Sequence, residues 1–120
     1  MANDGIEHRV YGMAFGRVYP LYLAKVARKG RTQAELDAVI GWLTGHTPAS
    51  LAEVVARGDD LRRFFAEAPR MHPDADKITG VVCGVRVEAV TDPLMREIRC
   101  LDKLVDELAR GKALAKIFSR

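Results

Sequence analysis

ITGVVCGVRVEAVTDPLMREIRCLDKLVDELARG, residues 78–111, decides the fold class of this 120-residue chain. Its second half reads without ambiguity. Asp92 can accept from the free N–H groups of a starting helix, and Pro93 suits the first turn, where a missing N–H costs nothing. Leu94, Ile98, Leu101, Val105 and Leu108 then step by four and three, and Met95 and Leu104 widen the stripe toward a core face. That spacing predicts the longest amphipathic helix of the chain. Arg96, Arg99, Lys103 and Asp106 fall outside the stripe, and Gly111 interrupts it.

The first half reads two ways. Ile78, Val81, Val82, Val85 and Ala89 fit a helical stripe, whereas Val85, Val87 and Ala89 alternating with Arg86 and Glu88 fit a strand. Two glycines and five valines weaken the helix. A strand needs a partner, and the candidate is residues 9–15, where Tyr11, Met13 and Phe15 recur at period two in an extended segment. A two-stranded ribbon is marginal unless packed on helices. The helical reading is adopted for 78–90, with a minor two-stranded element of residues 9–15 and 81–88 as the alternative.

Working outward, Pro20 predicts the start of a helix that runs to Lys29 and closes at Gly30. Thr32-Gln33-Ala34-Glu35 is a capping box, followed by Leu36, Val39, Ile40 and Leu43 on one face, with Gly45 as terminator. Thr47-Pro48 starts the next helix, carrying Leu51, Val54 and Val55 to Gly58. Asp59 or Asp60 caps a short helix with Leu61, Phe64 and Phe65 that stops at Pro69. Residues 69–77, PRMHPDADK, have no period and read as a loop. Leu114, Ile117 and Phe118 make a last helical turn. The expected fold is mainly α: a compact bundle of five or six helices in one domain spanning 1–120, with 1–7 flexible.

Composition is that of a soluble globular protein, 48% hydrophobic and 29% charged. No apolar run approaches the roughly 20 residues that cross a bilayer, so no membrane role is expected. The N-terminal residues carry no apolar signal core, which makes the cytoplasm the expected compartment and free thiols the expected state of Cys83 and Cys100. The net charge of +3 comes from two acid-free segments, within 9–31 and 110–120. Their plainest reading is a solvated face with cations near helix C-termini.

Chemistry-bearing constellations are sparse. His8, His46 and His72 are far apart and share no ligand spacing, and a metal site of His8, His72 and Cys83 would have to be assembled from distant segments. Gly80 and Gly84 lack the lysine and hydroxyl of a phosphate loop, so no cofactor is expected, and neither Ser50 nor Ser119 sits in a nucleophile turn. The helices at 33–43 and 48–56 superficially match a helix-turn-helix. The reading position, however, offers Pro48, Ala49, Ser50 and Glu53, without a cation before Arg57. Tyr11, Tyr19, Tyr22 and Trp42 are amphipathic aromatics that either edge the core or line a cleft. Cys83 is a filler in a valine run, or a nucleophile if a base approaches. Arg86, Glu88, Asp92, Arg96 and Arg99 form a charged series at the start of the long helix.

The blocks HRVYGMAFGRVYPLYLAKVARKGRT, IGWLTGH, ITGVVCGVRVE and DPLMREIRCLDKLVDELARGK, in this order and spacing, resemble a prokaryotic family catalogued as domain of unknown function 2200. The resemblance covers Glu7 to Phe118. It implies a small, stand-alone, predominantly helical cytoplasmic protein with no established activity, and it carries over no catalytic residue, cofactor or metal ligand. The polar positions inside the resembling blocks make a shortlist: Tyr11, Tyr19, Tyr22, Trp42, Cys83, Arg86, Glu88, Asp92 and Arg99, with His8 beside them.

Three functions from different classes follow. The leading one is a non-catalytic interaction module that binds a protein partner or its own copy through a helix face, motivated by the stripe on 93–109. The second is weak nucleic-acid binding through the basic segments 17–31 and 110–120. The third is a small-molecule-binding protein or enzyme using the Tyr/Trp/Arg86/Glu88 set. A catalytic role is the less expected outcome.

Overall fold

The computed structural model describes residues 9–120; the flexible segment expected at 1–7 and His8 lie outside the described residues. Its helices are α1 (Phe15–Ala27), α2 (Gln33–Thr44), α3 (Pro48–Arg57), α4 (Leu61–Ala66), α5 (Pro93–Ala109) and α6 (Leu114–Phe118). A 3₁₀ turn at Pro73–Lys77 and another at Val87–Ala89 flank a small hairpin, β1 (Val81–Val82) and β2 (Val85–Arg86). The mainly α architecture expected from periodicity is the one observed.

α5 is the axle. Met95, Ile98, Leu101, Leu104, Val105 and Leu108 are all 4% exposed or less, and the helix packs against α1, α2, α4, α6, β1 and the second 3₁₀ turn. Each such side chain contributes about 2 kcal/mol on leaving water. Asp92 caps the helix by accepting from the Met95 N–H at 2.9 Å. The stripe that motivated an interface is therefore consumed by the core, where it meets Leu36, Val39, Ile40 and Leu43 of α2 and Phe15 and Val26 of α1.

α2 and α3 start as their sequences predict. The Thr32 hydroxyl accepts from Glu35 N–H at 3.1 Å, while the Glu35 carboxylate accepts from Thr32 N–H at 2.9 Å. Thr47 and Ser50 repeat the reciprocal pattern at α3, and Asp60, not Asp59, caps α4. Gly45 ends α2 at φ 80°, where an added Cβ would stand 2.9 Å from the Arg70 backbone nitrogen. That closeness has a purpose: Arg70 N–H donates to Thr44 O at 3.0 Å and His72 N–H to Leu43 O at 2.8 Å. The loop at 69–77 thus satisfies the carbonyls left open at the end of α2, then winds into a 3₁₀ turn.

Three local expectations are corrected. The helix adopted for 78–90 is instead a hairpin followed by a 3₁₀ turn, with Val81 opposite Arg86 and Val82 opposite Val85. Its two-residue connection, Cys83-Gly84, has φ of 52° and 73°, the positive pair that a type I′ turn requires. The strand partner lies three to five residues away, so residues 9–15 do not pair with 81–88. That N-terminal segment is helical at 9–11 and forms a β-bridge of Ala14 against Asp60. Phe15 N–H donates to Asp59 O at 2.8 Å and Leu61 N–H to Met13 O at 3.0 Å, which pins the chain there. α1 accordingly begins at Phe15 and contains Pro20 inside it, five residues before the predicted start. No helix among the described residues is long and apolar enough to cross a membrane.

Candidate functional site

The three tyrosines share one device: each donates its hydroxyl to an aspartate on another helix or its cap. Tyr11 bonds Asp92, with the Arg62 guanidinium 5.0 Å over its ring. Tyr19 bonds Asp37 and Tyr22 bonds Asp102, both at 2.5 Å. Burial raises the Tyr22 phenol well above its ordinary range and the Asp102 charge raises it further. Tyr19 is pushed up to about 12, first by burial and then by its bond to Asp37.

Asp102, absent from the sequence shortlist, is a node. Tyr22 takes its Oδ1, Arg99 donates to its Oδ2 at 3.0 Å, and the exposed Cys83 thiol lies 4.0 Å from that same Oδ2. Three shortlisted residues, Tyr22, Cys83 and Arg99, therefore meet on it from α1, the hairpin turn and α5. Arg99 and Asp102, three apart and both outside the stripe of α5, were the sequence signal for this pair. The result is a brace between elements, in which the carboxylate is already matched by a guanidinium and a phenol.

The rest of the shortlist disperses. Arg86 pairs with Glu88 at 3.3 Å, and Glu88 accepts from Gly80 N–H at 2.9 Å, closing the hairpin base. The Gly80 N–H bond, then Arg86, hold the Glu88 carboxyl below its usual range. Trp42 stacks on His72 at 3.9 Å, with Phe118 of α6 5.8 Å away. The Tyr/Trp/Arg86/Glu88 set is not drawn into one cleft. Cys100 is buried and its thiol is pushed up to about 11, chiefly by desolvation, which makes it a poor nucleophile.

The two basic segments, in contrast, converge. Arg31 is the strut: its guanidinium donates to Leu108 O at 3.1 Å and Lys112 O at 3.0 Å, and Glu35 holds its other edge at 2.8 Å. This draws the end of α1 against the end of α5. Between them opens a cleft of about 970 Å³ lined by Lys25, Arg28, Lys29, Asp106, Ala109 and Arg110. Asp106 binds Lys25 at 3.2 Å and Arg110 at 2.8 Å. Burial alone would raise its carboxyl, but those two cations outweigh burial and hold it low. Arg28 and Lys29 are exposed and have no acidic partner among the described residues.

The cleft has an excess of three positive charges, equal to the formal net charge of the whole chain, +3. Residues 9–120 carry a formal net charge of +5, since the acids Asp4 and Glu7 precede them, and the cleft holds three of those five excess charges. Not all of the basic segments contribute. Arg120 holds the buried Glu107 with contacts of 2.9 and 2.6 Å, Lys112 approaches the same carboxylate at 3.6 Å, and Arg17 sits in the opening turns of α1, at its far end. What the lining can do is hold anions by charge.

A family model described as an uncharacterized protein conserved in bacteria, DUF2200, matches residues 9–119. The chain is also similar to a solved structure, the crystal structure of uncharacterized protein SP1917. The two are 43% identical over 91% of this chain and 89% of that one, with a TM-score of 0.86. No curated protein matches. The family has no described activity, so the comparisons give the fold and the lineage and leave the cleft to be interpreted on its chemistry. The chain belongs to the bacterial family of domain of unknown function 2200.

Proposed function

We propose that the protein is a non-catalytic binding module that takes the phosphate backbone of nucleic acid in the basic cleft between the ends of α1 and α5. The carrying observation is the convergence of Lys25, Arg28, Lys29 and Arg110, from segments some 80 residues apart, on one open surface offset by a single carboxylate. Cations also suit helix C-termini, where they offset the negative end of the dipole. That role explains Lys25 and Arg110, which are paired to Asp106 as well. It leaves Arg28 and Lys29, both solvated, as the charges available to a partner. The reading takes the protein as cytoplasmic, in keeping with its free thiols at Cys83 and Cys100.

Two neutralised phosphates, one for each solvated cation, predict a log–log salt slope of about −1.8, or roughly twelve-fold weaker binding between about 50 and 200 mM salt. Fluorescence anisotropy with a labelled duplex of about 20 base pairs measures this. Arg28→Glu with Lys29→Glu removes the binding while the fold, read by circular dichroism, stays. Absence of binding at about 50 mM salt, where phosphate contacts are strongest, overturns the reading.

A protein partner or a second copy is the other reading, now on a different face. The outward row of α1 presents Arg17, Pro20, Leu21 and Ala24, with Leu21 65% exposed. Sedimentation of the wild type against Leu21→Glu tests it, a strict monomer in both counting against self-association.

A further inference from the structure

The three tyrosine–aspartate pairs are not alike. Asp92 also caps α5 and Asp102 also binds Arg99, so both carboxylates have further donors. Asp37 has the Tyr19 hydroxyl and, among the described residues, no cation and no backbone donor. It stands where two depressions meet. One, of about 110 Å³, runs between Tyr19 and Leu51, Ala52 and Val55 of α3. The other, of about 590 Å³, runs along Ala34, Ala38 and Gly41 of α2 to the start of α3. Gln33, Asp37 and Pro48 line both.

The hydrogen-bond directions at this junction set the polarity of a guest. Gln33 donates its amide N–H to the Tyr19 oxygen at 3.0 Å, and Tyr19 gives its own proton to Asp37. The Tyr19 hydroxyl and one Gln33 amide N–H are therefore used internally, while the Asp37 carboxylate, an acceptor only, is the one formal charge in the lining of either depression. The Thr47 hydroxyl is taken up by the α3 cap. Around the Asp37 carboxylate the walls are largely apolar, from Ala34, Ala38, Pro48, Leu51 and Val55, with the His46 imidazole as a further polar group. Such a groove rejects anions and matches a compact cation with several N–H donors and an apolar body.

We propose that the groove between α2 and α3 binds a small primary amine, its ammonium on Asp37 and Gln33 and its carbon chain along Ala34, Ala38 and Pro48. The site is on a different face from the basic cleft and stands or falls separately from it.

The probe is n-butylamine, with 1-butanol as its neutral counterpart, followed by amide chemical shifts of the full chain. Butylamine is expected to move the signals of α2 and the first turns of α3 in a saturable way. Butanol should bind at least about ten-fold more weakly, since it lacks the charge-assisted bond. Asp37→Asn should abolish saturation, and Ala38→Leu should do so by filling the groove while leaving the carboxylate in place. Ala38 is exposed in mid-helix, so this second variant folds even if the first does not. Arg28→Glu with Lys29→Glu should leave amine binding unchanged. Shifts confined to other elements, equal binding of butanol, saturation that survives Ala38→Leu, or no saturation with the wild type would each overturn the assignment.

Discussion

Gly41 sits in the middle of α2, where replacing glycine by alanine ordinarily stabilises a helix by about 1 kcal/mol. Here the sign should reverse. A Cβ built on Gly41 lies 2.7 Å from the carbonyl oxygen of His46. Ordinary contact begins near 3.4 Å, so the pair must separate by roughly 0.7 Å. The obstacle is backbone, and this backbone is held at both ends. His46 N–H donates to the Thr44 hydroxyl at 3.3 Å, and Thr47 next to it forms the α3 capping box with Ser50. The His46 ring is also stacked on Phe64 at 5.1 Å. Overpacking a fixed contact costs about 1–3 kcal/mol, with the upper part of that range expected against main chain. After the propensity gain, Gly41→Ala should lose about 1–2 kcal/mol. For a chain of 120 residues, that lowers Tm by about 4–8 °C. Gly16 in α1 is the matched control. Its added Cβ meets the Val55 Cγ1 at 3.2 Å, but Val55 is 43% exposed and can turn aside. Gly16→Ala should be neutral or stabilising by up to about 1 kcal/mol. Thermal and urea melts of the two variants decide the matter. A Tm for Gly41→Ala at or above wild type would refute the reasoning, since steric conflict with main chain would then not outweigh helix propensity.

Cys83 adopts φ 52° at the first position of its turn, a region asparagine tolerates better than cysteine. Cys83→Asn should therefore raise the urea midpoint by the equivalent of about 0.5–1 kcal/mol, and a fall would show that the contact with Asp102 outweighs the turn. His46 is buried, and desolvation lowers its pKa below 6.5 in the folded chain, with Arg57 adding to the effect and Asp59 opposing it. The unfolded state then takes the proton first. Stability is full above pH 6.5 and is lost as pH falls through the folded value, a slope that His46→Gln should flatten between pH 7.5 and 5 in urea titrations. The neighbouring Asp59, held down mainly by Arg57, acts below pH 3.8 and does not overlap that window. Arg120→Ala leaves Glu107, 8% exposed, with Lys112 alone, and should cost about 2 kcal/mol by denaturant melts. Adding Glu107→Gln should recover part of that loss, and no recovery would argue against a charge effect.

Helix termini were legible wherever a cap was spelled out next to a period. Thr32 to Glu35, Thr47-Pro48 and Asp92-Pro93 each set a boundary that the structure keeps, because capping is satisfied within three or four residues. Boundaries set by distant contacts were not legible. The start of α1 depends on Phe15 reaching Asp59, some 44 residues away, and no local residue type announces that bond. The hairpin failed for a different reason. Val81, Val82 and Val85 fit a helical period while Val85 and Val87 fit a strand, and the deciding feature is that Cys83 and Gly84 both adopt positive φ. Glycine advertises that freedom and cysteine does not, so half of the turn signal was hidden.

The candidate surfaces divide along the same line. Segment charge was visible in the sequence, yet only the tertiary fold sorts cations that brace the core from cations left to solvent. Arg31 and Arg120 look no different from Arg28 in the sequence, but the Leu108 and Lys112 carbonyls and the buried Glu107 claim the first two. Asp37 and Asp102 show the converse. Both sit outside apolar stripes and pass for solvated helix residues until a tyrosine 18 or 80 positions away reaches them. What then distinguishes the two aspartates is the inventory of remaining donors around each. Asp102 has a guanidinium and Asp37 has none among the described residues, which makes one a structural brace and the other an open acceptor at the edge of an apolar groove.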